Sequence, residues 1–343
     1  MDINSLLNVL AKTIKLYLFR LPFLLKCTIL HLTVTIKEYN MKHKLKWLLF
    51  HEPTELFIRT ARHFEEEINK LTDNAFEIEI LELQDYDDKY NNGKACDPIA
   101  EIKSGRVHMS QIYIDVLAQS SVTNFLALGL PFLFKDHDHA TRVFEGELGE
   151  ELLSHLQERL EIKGLSFTYS GGFRVMTSTT PISTIDDFAM LTNKQTNHAI
   201  SADIFTALGS KAVSADKADL RQTTLPRYHV DARKDQNYVV STGHSMFLTT
   251  ILANQDMWNS FDDATKQHFK TASKVCAAAE RIKSVADGDY IAENKGAQDN
   301  LGIKLFSNLD STQMTKLRNL LAPVTAKWKP YFANDLVDRI ATA

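Results

Sequence analysis

The hydrophobic pattern changes its period between residues 57 and 80, and this change constrains the fold more than any other feature of the chain. Apolar residues first recur at helical spacing, at Phe57, Ala61, Phe64, Ile68 and Leu71. After a short break they alternate with glutamates, at Phe76, Ile78 and Ile80. A short apolar run at 46–50 precedes the helix. The order strand, helix, strand predicts an α/β protein with a mainly parallel sheet and helices on both of its faces.

The later patterns continue this alternation. A short helix is predicted from Pro98 to Lys103, a strand at 107–113, a helix at 139–160 and a strand at 165–169. The longest helical pattern covers 262–299 without a proline, which is long enough to cross between two lobes. A final helix is expected to be capped at 310–312 and to end at Pro323.

Composition narrows the class of protein. The chain has 343 residues, 44% of them hydrophobic, which suffices for two lobes that share a cleft or for one large α/β domain. The net charge is −4 and the basic residues are scattered, so a nucleic-acid partner is not expected. Cys27, Cys96 and Cys276 lie far apart and form no Cys-x-x-Cys pair. They are interpreted as free thiols, either packed or at the surface.

The first forty residues do not match a standard membrane or export segment. Residues 5–36 are rich in apolar side chains, but four basic residues interrupt them, so no uncharged run reaches the roughly 18 residues of a membrane span. The stretch 27–36 has the length of a signal-peptide core, but no Ala-x-Ala site follows it. Residues 1–40 are therefore expected to be an atypical leader or a misplaced start, with an amphipathic membrane-lying helix as the alternative.

Common catalytic motifs are missing from the sequence. It contains no Gly-x-Ser-x-Gly, no phosphate-binding loop, no His-Glu-x-x-His and no Gly-x-Gly-x-x-Gly after a strand. The run Asp136-His137-Asp138-His139 could offer ligands to zinc, but a helix entry with an aspartate cap accounts for the same residues. His244 and Ser245 are interpreted as part of a polar loop. Binding is therefore favoured over catalysis, with a hydrolase as the alternative.

Six short segments, in their order and spacing, point to one family. They are GRVHM (105–109), LGLPFLF (128–134), GFR (172–174), TPI (180–182), ALG (207–209) and TGH (242–244). This set resembles the DctP-type solute-binding proteins of tripartite ATP-independent periplasmic (TRAP) transporters, from about residue 45 to residue 338. The resemblance implies a two-lobed, periplasmic-binding-protein-like fold (type II-like) with a long helix spanning both lobes. Lobe I would comprise 41–171 plus about 248–287, and lobe II 172–247 plus about 288–343.

The resemblance also implies a function. Such a protein would be an extracytoplasmic receptor in the periplasm that closes by a hinge motion on a small organic acid. It would deliver the acid to the membrane permease subunits of a TRAP transporter. No cofactor and no enzymatic activity are expected.

In this family two arginines of the second lobe hold the carboxylate of the ligand. Arg174 matches the first of them, and its planar guanidinium can donate two parallel hydrogen bonds to a carboxylate; a structural ion pair is the alternative role. Lys194 stands where the second arginine is usual, which keeps the charge but loses the fork of donors.

A further departure lies at Asp235, where the family places an asparagine that reaches the carboxylate. A carboxylate there would repel an anion unless Lys194 neutralised it. Two interpretations are open: a receptor for an amino acid or other zwitterion, and a divergent receptor with an altered or lost site that acts as a sensor or interaction module. His51, Tyr113 and Phe132 are further candidates, because they end strands or begin loops on the side where α/β sheets bind ligands.

Overall fold

The computed structural model describes residues 42–120 and 122–343. The predictions made for residues 1–40 lie outside this part of the chain. One mixed sheet organises the described residues. Its strands are β1 (His43–Leu49), β2 (Phe76–Glu82), β3 (Met109–Tyr113), β4 (Ile162–Ser178), β5 (Thr192–Lys194), β6 (Lys211–Val213), β7 (Leu220–Thr223), β8 (Tyr238–Asn254) and β9 (Leu305–Asn308).

The strand order is β2-β1-β3-β8-β4-β7-β5-β6, and β9 pairs with β8. The outer strands pair in parallel, as β1 does with β2 and β5 with β6. In the centre, β8 runs antiparallel to β3 and to β4, and β4 runs antiparallel to β7. The prediction of a mainly parallel sheet is therefore correct for the outer strands and wrong for the centre.

Two long central strands connect the two halves of the sheet. β4 and β8 each contain 17 residues, and their register shifts between Tyr169 and Gly172. Gly171 has a φ of 92°, and a Cβ at this position would lie 2.2 Å from Oγ1 of Thr224, so the bend requires glycine. The strand predicted at 165–169 is thus one part of a much longer strand.

Helices lie on both faces of the sheet. They are α1 (Thr54–Leu71), α2 (Leu83–Tyr90), α3 (Pro98–Lys103), α4 (Ile114–Gln119), α5 (His137–Glu145), α6 (Glu147–Leu160), α7 (Ala199–Ala207), α8 (Tyr228–Asp231), α9 (Gln255–Ser260), α10 (Asp263–Glu293), α11 (Lys295–Asn300), α12 (Ser311–Trp328) and α13 (Leu336–Thr342). Short 3₁₀ segments lie at Thr123–Gly129, Ile185–Met190, Leu225–Arg227 and Lys329–Tyr331.

Most of the predicted helices are confirmed, and three of them differ from the prediction. The long helix expected at 262–299 is interrupted at Asn294, where α10 ends and α11 begins. The helix expected at 139–160 is divided into α5 and α6, because Gly146 is extended, with φ −89° and ψ −172°. α12 continues through Pro323 to Trp328, although an interior proline costs a helix about 3 kcal/mol. Leu321 and Val324 beside it are buried, so tertiary packing holds this turn in place.

The buried core of the described residues divides into three clusters, and neighbouring residues of β1 belong to two of them. Trp47 shares a cluster with Phe57 and Phe269, whereas Leu48 belongs to a separate cluster with Phe167. Alternate side chains of a strand point to opposite faces, which explains this division. α10 packs against β4 and α1 and also contacts the segment Leu225–Arg227.

Two further observations concern the described residues. Within 42–120 and 122–343, no helix combines the length and the apolar character needed to cross a bilayer. Cys96 and Cys276 are free thiols, the first half-buried and the second buried, as predicted, while Cys27 lies outside the described part.

Candidate ligand-binding site

A cavity of about 370 Å³ opens where β4, β5, β7 and β8 approach α7 and α8. Its wall contains three cationic side chains, one carboxylate, four uncharged polar side chains and two phenylalanine rings. They are Arg174, Lys194, Gln195, Thr196, Asn197, Phe205, Arg221, Gln222, Asp231 and Phe247. Its position at the ends of short parallel strands is typical of ligand sites in α/β proteins.

Arg174 is the best-anchored cation of this wall. Its side chain is only 8% exposed, and its Nη2 lies 3.4 Å from Oδ2 of Asp115 on α4. The guanidinium carbon lies 3.9 Å from the centre of the Phe247 ring, which is the geometry of a cation–π contact. Burial lowers the pKa of Arg174 and Asp115 opposes this shift. Because the reference pKa of arginine is so high, the side chain stays charged.

Asp115 holds a second group beside Arg174. Its Oδ1 lies 3.4 Å from Nε2 of His198, and the Nδ1 of His198 accepts a hydrogen bond of 3.2 Å from the backbone of Ser201 at the start of α7. Burial lowers the pKa of His198, while Asp115 raises it. One carboxylate of α4 thus lies between Arg174 of β4 and His198 at the beginning of α7.

A second ion pair lies on the other side of the cavity. Arg227 Nε and Nη2 lie 3.0 Å from the two carboxylate oxygens of Asp231, and Thr223 Oγ1 donates a hydrogen bond of 2.6 Å to the same group. Nη1 of Arg227 contacts the carbonyl oxygen of Glu52 and the hydroxyl of Tyr113. Each oxygen of Asp231 therefore accepts at least one hydrogen bond from a protein donor.

Tyr113 and His51, both predicted for the cleft, form a layer behind the cavity wall. Their rings stack with centroids 3.5 Å apart, and His51 Nε2 accepts a hydrogen bond of 3.1 Å from the backbone of Tyr113. The Tyr113 ring also lies 4.7 Å from the ring of Phe247. Burial, and then the charge of Arg227, lower the pKa of His51 well below its usual value, so this imidazole is neutral. Neither residue lines the cavity itself.

Of the other residues predicted for the site, one lines the cavity and two do not. Lys194 ends β5, is exposed, and lines the cavity as expected. Asp235 does not line it; Asp235 pairs instead with Arg233, and its side chain is 53% exposed. Phe132 also lies elsewhere, with the guanidinium of Arg318 4.3 Å from its ring centre.

The carboxylate of the cavity is thus Asp231, four residues before the one that the sequence suggested. Sequence reasoning also missed Asp115, Arg221 and Arg227. One available signal was the spacing of Arg227 and Asp231, since oppositely charged residues four apart on a helix pair readily. Asp115 carried no local signal, because its partners lie far away in the sequence.

Two chemical hypotheses are resolved by the geometry. Asp136 accepts a hydrogen bond of 2.7 Å from the backbone of His139 and caps α5, and the described residues contain no cluster suited to a metal ion. The polar loop predicted around His244 is wrong, because His244 is buried within β8. Its imidazole contacts Thr242 Oγ1 at 2.7 Å and Gln222 Oε1 at 3.0 Å, and burial lowers its pKa to about 3.

The charges of the wall favour an anion. Arg221 donates its hydrogen bonds to the backbone carbonyls of Asp231 and Ala215, at 2.8 and 2.6 Å, so no carboxylate neutralises it directly. Lys194 has no ion-pair partner among residues 42–120 and 122–343. The one carboxylate of the wall is paired with Arg227. An excess of positive charge therefore faces the cavity.

Comparison with known proteins identifies the family. Residues 50–220 match the DctP model, described as bacterial extracellular solute-binding protein, family 7. The chain belongs to the DctP family of solute-binding proteins. The C4-dicarboxylate-binding periplasmic protein DctP of Rhodobacter capsulatus is 32% identical over 152 residues, which are 44% of this chain and 43% of that protein. A solute-binding protein of Sulfitobacter sp. is 25% identical over 306 residues, 83% of this chain and 86% of that protein.

Solved structures confirm the two-lobed fold expected for DctP members. A TRAP periplasmic solute-binding protein of Polaromonas sp., bound to D-erythronate, superimposes with a TM-score of 0.73 and 20% identity. The match covers 88% of this chain and 99% of that structure. The DctP fold therefore extends over nearly all of the described residues, although the match with the Rhodobacter protein covers less than half of that protein's length.

Proposed function

We propose that the protein is an extracytoplasmic receptor that binds a small organic acid in the cavity around Arg174 and delivers it to the membrane permease of a TRAP transporter. The observation that carries this proposal is the buried, fixed guanidinium of Arg174, with Lys194 and Arg221 beside it and one already paired carboxylate. Preorganised cations in a partly enclosed site bind carboxylates with charge-assisted hydrogen bonds.

The ligand class follows from the remaining lining. Gln195, Thr196, Asn197 and Gln222 offer amide and hydroxyl groups, which suit the hydroxyl groups or second carboxylate of a short acid. A volume of about 370 Å³ lies at the small end of the range for ligand pockets. The names of the Rhodobacter protein and the Polaromonas complex, a C4-dicarboxylate receptor and a D-erythronate complex, support the same class.

An amino acid as ligand is the second candidate, and the structure supports it less well. An ammonium group would need a carboxylate at the cavity whose charge is not already balanced by a protein cation. Asp231 lies there, but its two oxygens already accept from Arg227 and Thr223. The sensor interpretation is also weaker, because the cavity is open rather than filled by side chains.

Closure on the ligand would involve contacts between the proposed lobes. Asp115 falls in the predicted lobe I, whereas Arg174 and His198 fall in lobe II, and Arg227 of lobe II contacts Tyr113 of lobe I. With these proposed boundaries, the charged groups of the site lie at surfaces that would move during a hinge closure. The cavity wall supplies cations and amides rather than a nucleophile with a base, which favours binding without catalysis.

The test is a thermal-shift screen of the full chain against C3 to C6 mono- and dicarboxylic acids, sugar acids and amino acids, followed by calorimetry on every hit. A ligand at one hundred times its dissociation constant stabilises the protein by about 2.7 kcal/mol. Arg174→Ala should abolish the shift, and Arg62→Ala, on the exposed face of α1, should preserve it. A hit that survives Arg174→Ala, or no hit in any class, would contradict the proposal.

A further inference from the structure

A second cavity, of about 240 Å³, lies between α6, the first half of β4 and α10. It shares no lining residue with the cavity around Arg174. The apolar part of its wall includes the buried rings of Phe144 and Phe167 and the side chain of Leu153. Two carboxylates, Glu145 and Glu150, and four cationic side chains, Lys163, Lys270, Lys274 and Arg281, also line it.

Two of these four cations are neutralised within the protein. Arg281 donates one hydrogen bond of 2.8 Å to the carbonyl of Phe167 and contacts the carboxylate of Glu145. Lys274 lies 3.2 Å from a carboxylate oxygen of Glu150. These two ion pairs leave no net charge on their side of the rim.

The other two cations have no such partner. In the part of the chain that the structure describes, neither Lys163 nor Lys270 has a carboxylate within ion-pair distance. Lys163 is half-buried on β4, and its Nζ lies 5.3 Å from the centre of the Trp258 ring. Burial lowers the pKa of Lys163, the charge of Lys270 lowers it further, and the charge of Glu150 opposes the shift. Both lysines line the cavity, so an anion bound in it would interact with both ammonium groups.

We propose that this cavity is an anion site for the phosphate group of a small phosphomonoester, held by Lys163 and Lys270. Two ammonium groups match the double negative charge of a phosphomonoester, and each offers three donors in a non-planar arrangement. The fork of Arg281, which would favour a flat carboxylate, is already occupied by Glu145 and the Phe167 carbonyl. The apolar wall leaves room for a short organic group. This site is independent of the function proposed for the cavity around Arg174.

The phosphate group could belong to a soluble metabolite or to a lipid headgroup, and two probes distinguish these sources. Glycerol 3-phosphate is titrated into the full chain by calorimetry at constant ionic strength. Vesicles of phosphatidylcholine, with and without phosphatidic acid, are used in a cosedimentation assay. Two variants are tested. The double variant combines Lys163→Gln with Lys270→Gln, and the single variant carries Lys270→Gln alone, which changes only an exposed side chain of α10. Lys266→Gln, one turn away on the same helix and outside the cavity, is the matched control.

The double variant should lose affinity by about a hundredfold or more, since it removes both charge-assisted hydrogen-bond donors. Lys270→Gln alone should lose part of it, and Lys266→Gln none. Binding of glycerol 3-phosphate would support the site with a soluble ligand, and lysine-dependent binding to phosphatidic acid vesicles alone would support it with a lipid source. The proposal is overturned if wild-type protein binds neither probe. It is equally overturned if the double variant binds as wild type does, or if Arg174→Ala removes the binding.

Discussion

Asp115 Oδ2 lies 3.4 Å from Nη2 of Arg174, so the arginine that faces the candidate ligand cavity has an internal carboxylate as its counter-ion. A ligand carboxylate therefore approaches a cation that is already partly neutralised. Asp115 Oδ1 also lies 3.4 Å from Nε2 of His198, directly before α7. This arrangement connects the stability of the empty protein to its affinity for an anion.

Asp115→Asn should destabilise the empty protein and increase its affinity for the acid found in the screen. The substitution leaves a buried guanidinium without its counter-ion, and breaking such a pair costs up to about 3–5 kcal/mol when burial is complete. A bound carboxylate would then replace the missing charge. Urea unfolding measures the stability and calorimetry the affinity. A weaker affinity with unchanged stability would show that Asp115 orients Arg174 rather than competing with the ligand.

Lys194→Ala should weaken binding of the acid by about tenfold, because an exposed charge at the cavity edge contributes roughly 1 kcal/mol or somewhat more. Lys194→Arg should bind at least as tightly as wild type, since the guanidinium fork can donate two bonds to one carboxylate. Calorimetry at two salt concentrations distinguishes a charge contribution from a packing effect. Lys211→Ala, on the exposed strand β6, is the control. If all three variants bind the acid as tightly as wild type does, Lys194 does not contribute to binding.

Asp231→Asn should not reduce the affinity for simple acids and should not selectively abolish binding of amino acids. Both oxygens of Asp231 are already bonded to Arg227 and Thr223, so the side chain is placed to hold Arg227. The variant should unfold at lower urea concentration, because the buried Arg227 loses its charged partner. A competition assay with an acid and the matching amino acid measures the selectivity. Specific loss of the amino acid would favour the zwitterion receptor.

Because His244 is buried as a neutral imidazole, the free energy of unfolding should decrease as the pH falls from about 6.5 toward 3. Burial lowers its native pKa to about 3, whereas an unfolded histidine titrates near 6.5. The unfolded chain therefore binds the proton first, and the stability contributed by the neutral imidazole is lost between these two values. From about pH 7.5 to about pH 5 the loss should be about 2 kcal/mol for this one group.

His244→Gln should reduce that pH dependence by a similar amount, as measured by urea unfolding at both pH values. The exposed residue His43 supplies the control, and His43→Gln should retain the wild-type dependence. An unchanged pH dependence in His244→Gln would mean that the pKa of the imidazole does not differ between the folded and the unfolded state.

Two helical glycines should respond oppositely to alanine. A Cβ on Gly149 would lie 2.2 Å from the carbonyl oxygen of Phe144, so Gly149→Ala forces α5 and α6 apart and should cost about 1–3 kcal/mol. A Cβ on Gly288 would meet nothing nearer than 3.7 Å, so Gly288→Ala should stabilise α10 by up to about 1 kcal/mol. Thermal unfolding followed by circular dichroism measures both. Equal effects of the two substitutions would contradict the close helix contact.

The sequence by itself determined the elements whose signal is local. The helical spacing from Phe57 to Leu71 and the alternation from Phe76 predicted α1 and β2, because side-chain periodicity follows from the geometry of each element. Short motifs in a fixed order indicated the family and singled out Arg174 and Lys194, both of which line the cavity. These inferences required no knowledge of which distant residues meet.

Tertiary structure alone decided the partners of these residues. Asp115 and Arg174 are 59 positions apart, and Tyr113 and Arg227 are 114 apart, so no local pattern could indicate that they pair. The passage of α12 through Pro323 was likewise decided by packing, which outweighed the local tendency of proline to end a helix. Local sterics and solvation set the elements of this chain, whereas long-range packing chose Asp231 rather than Asp235 for the cavity.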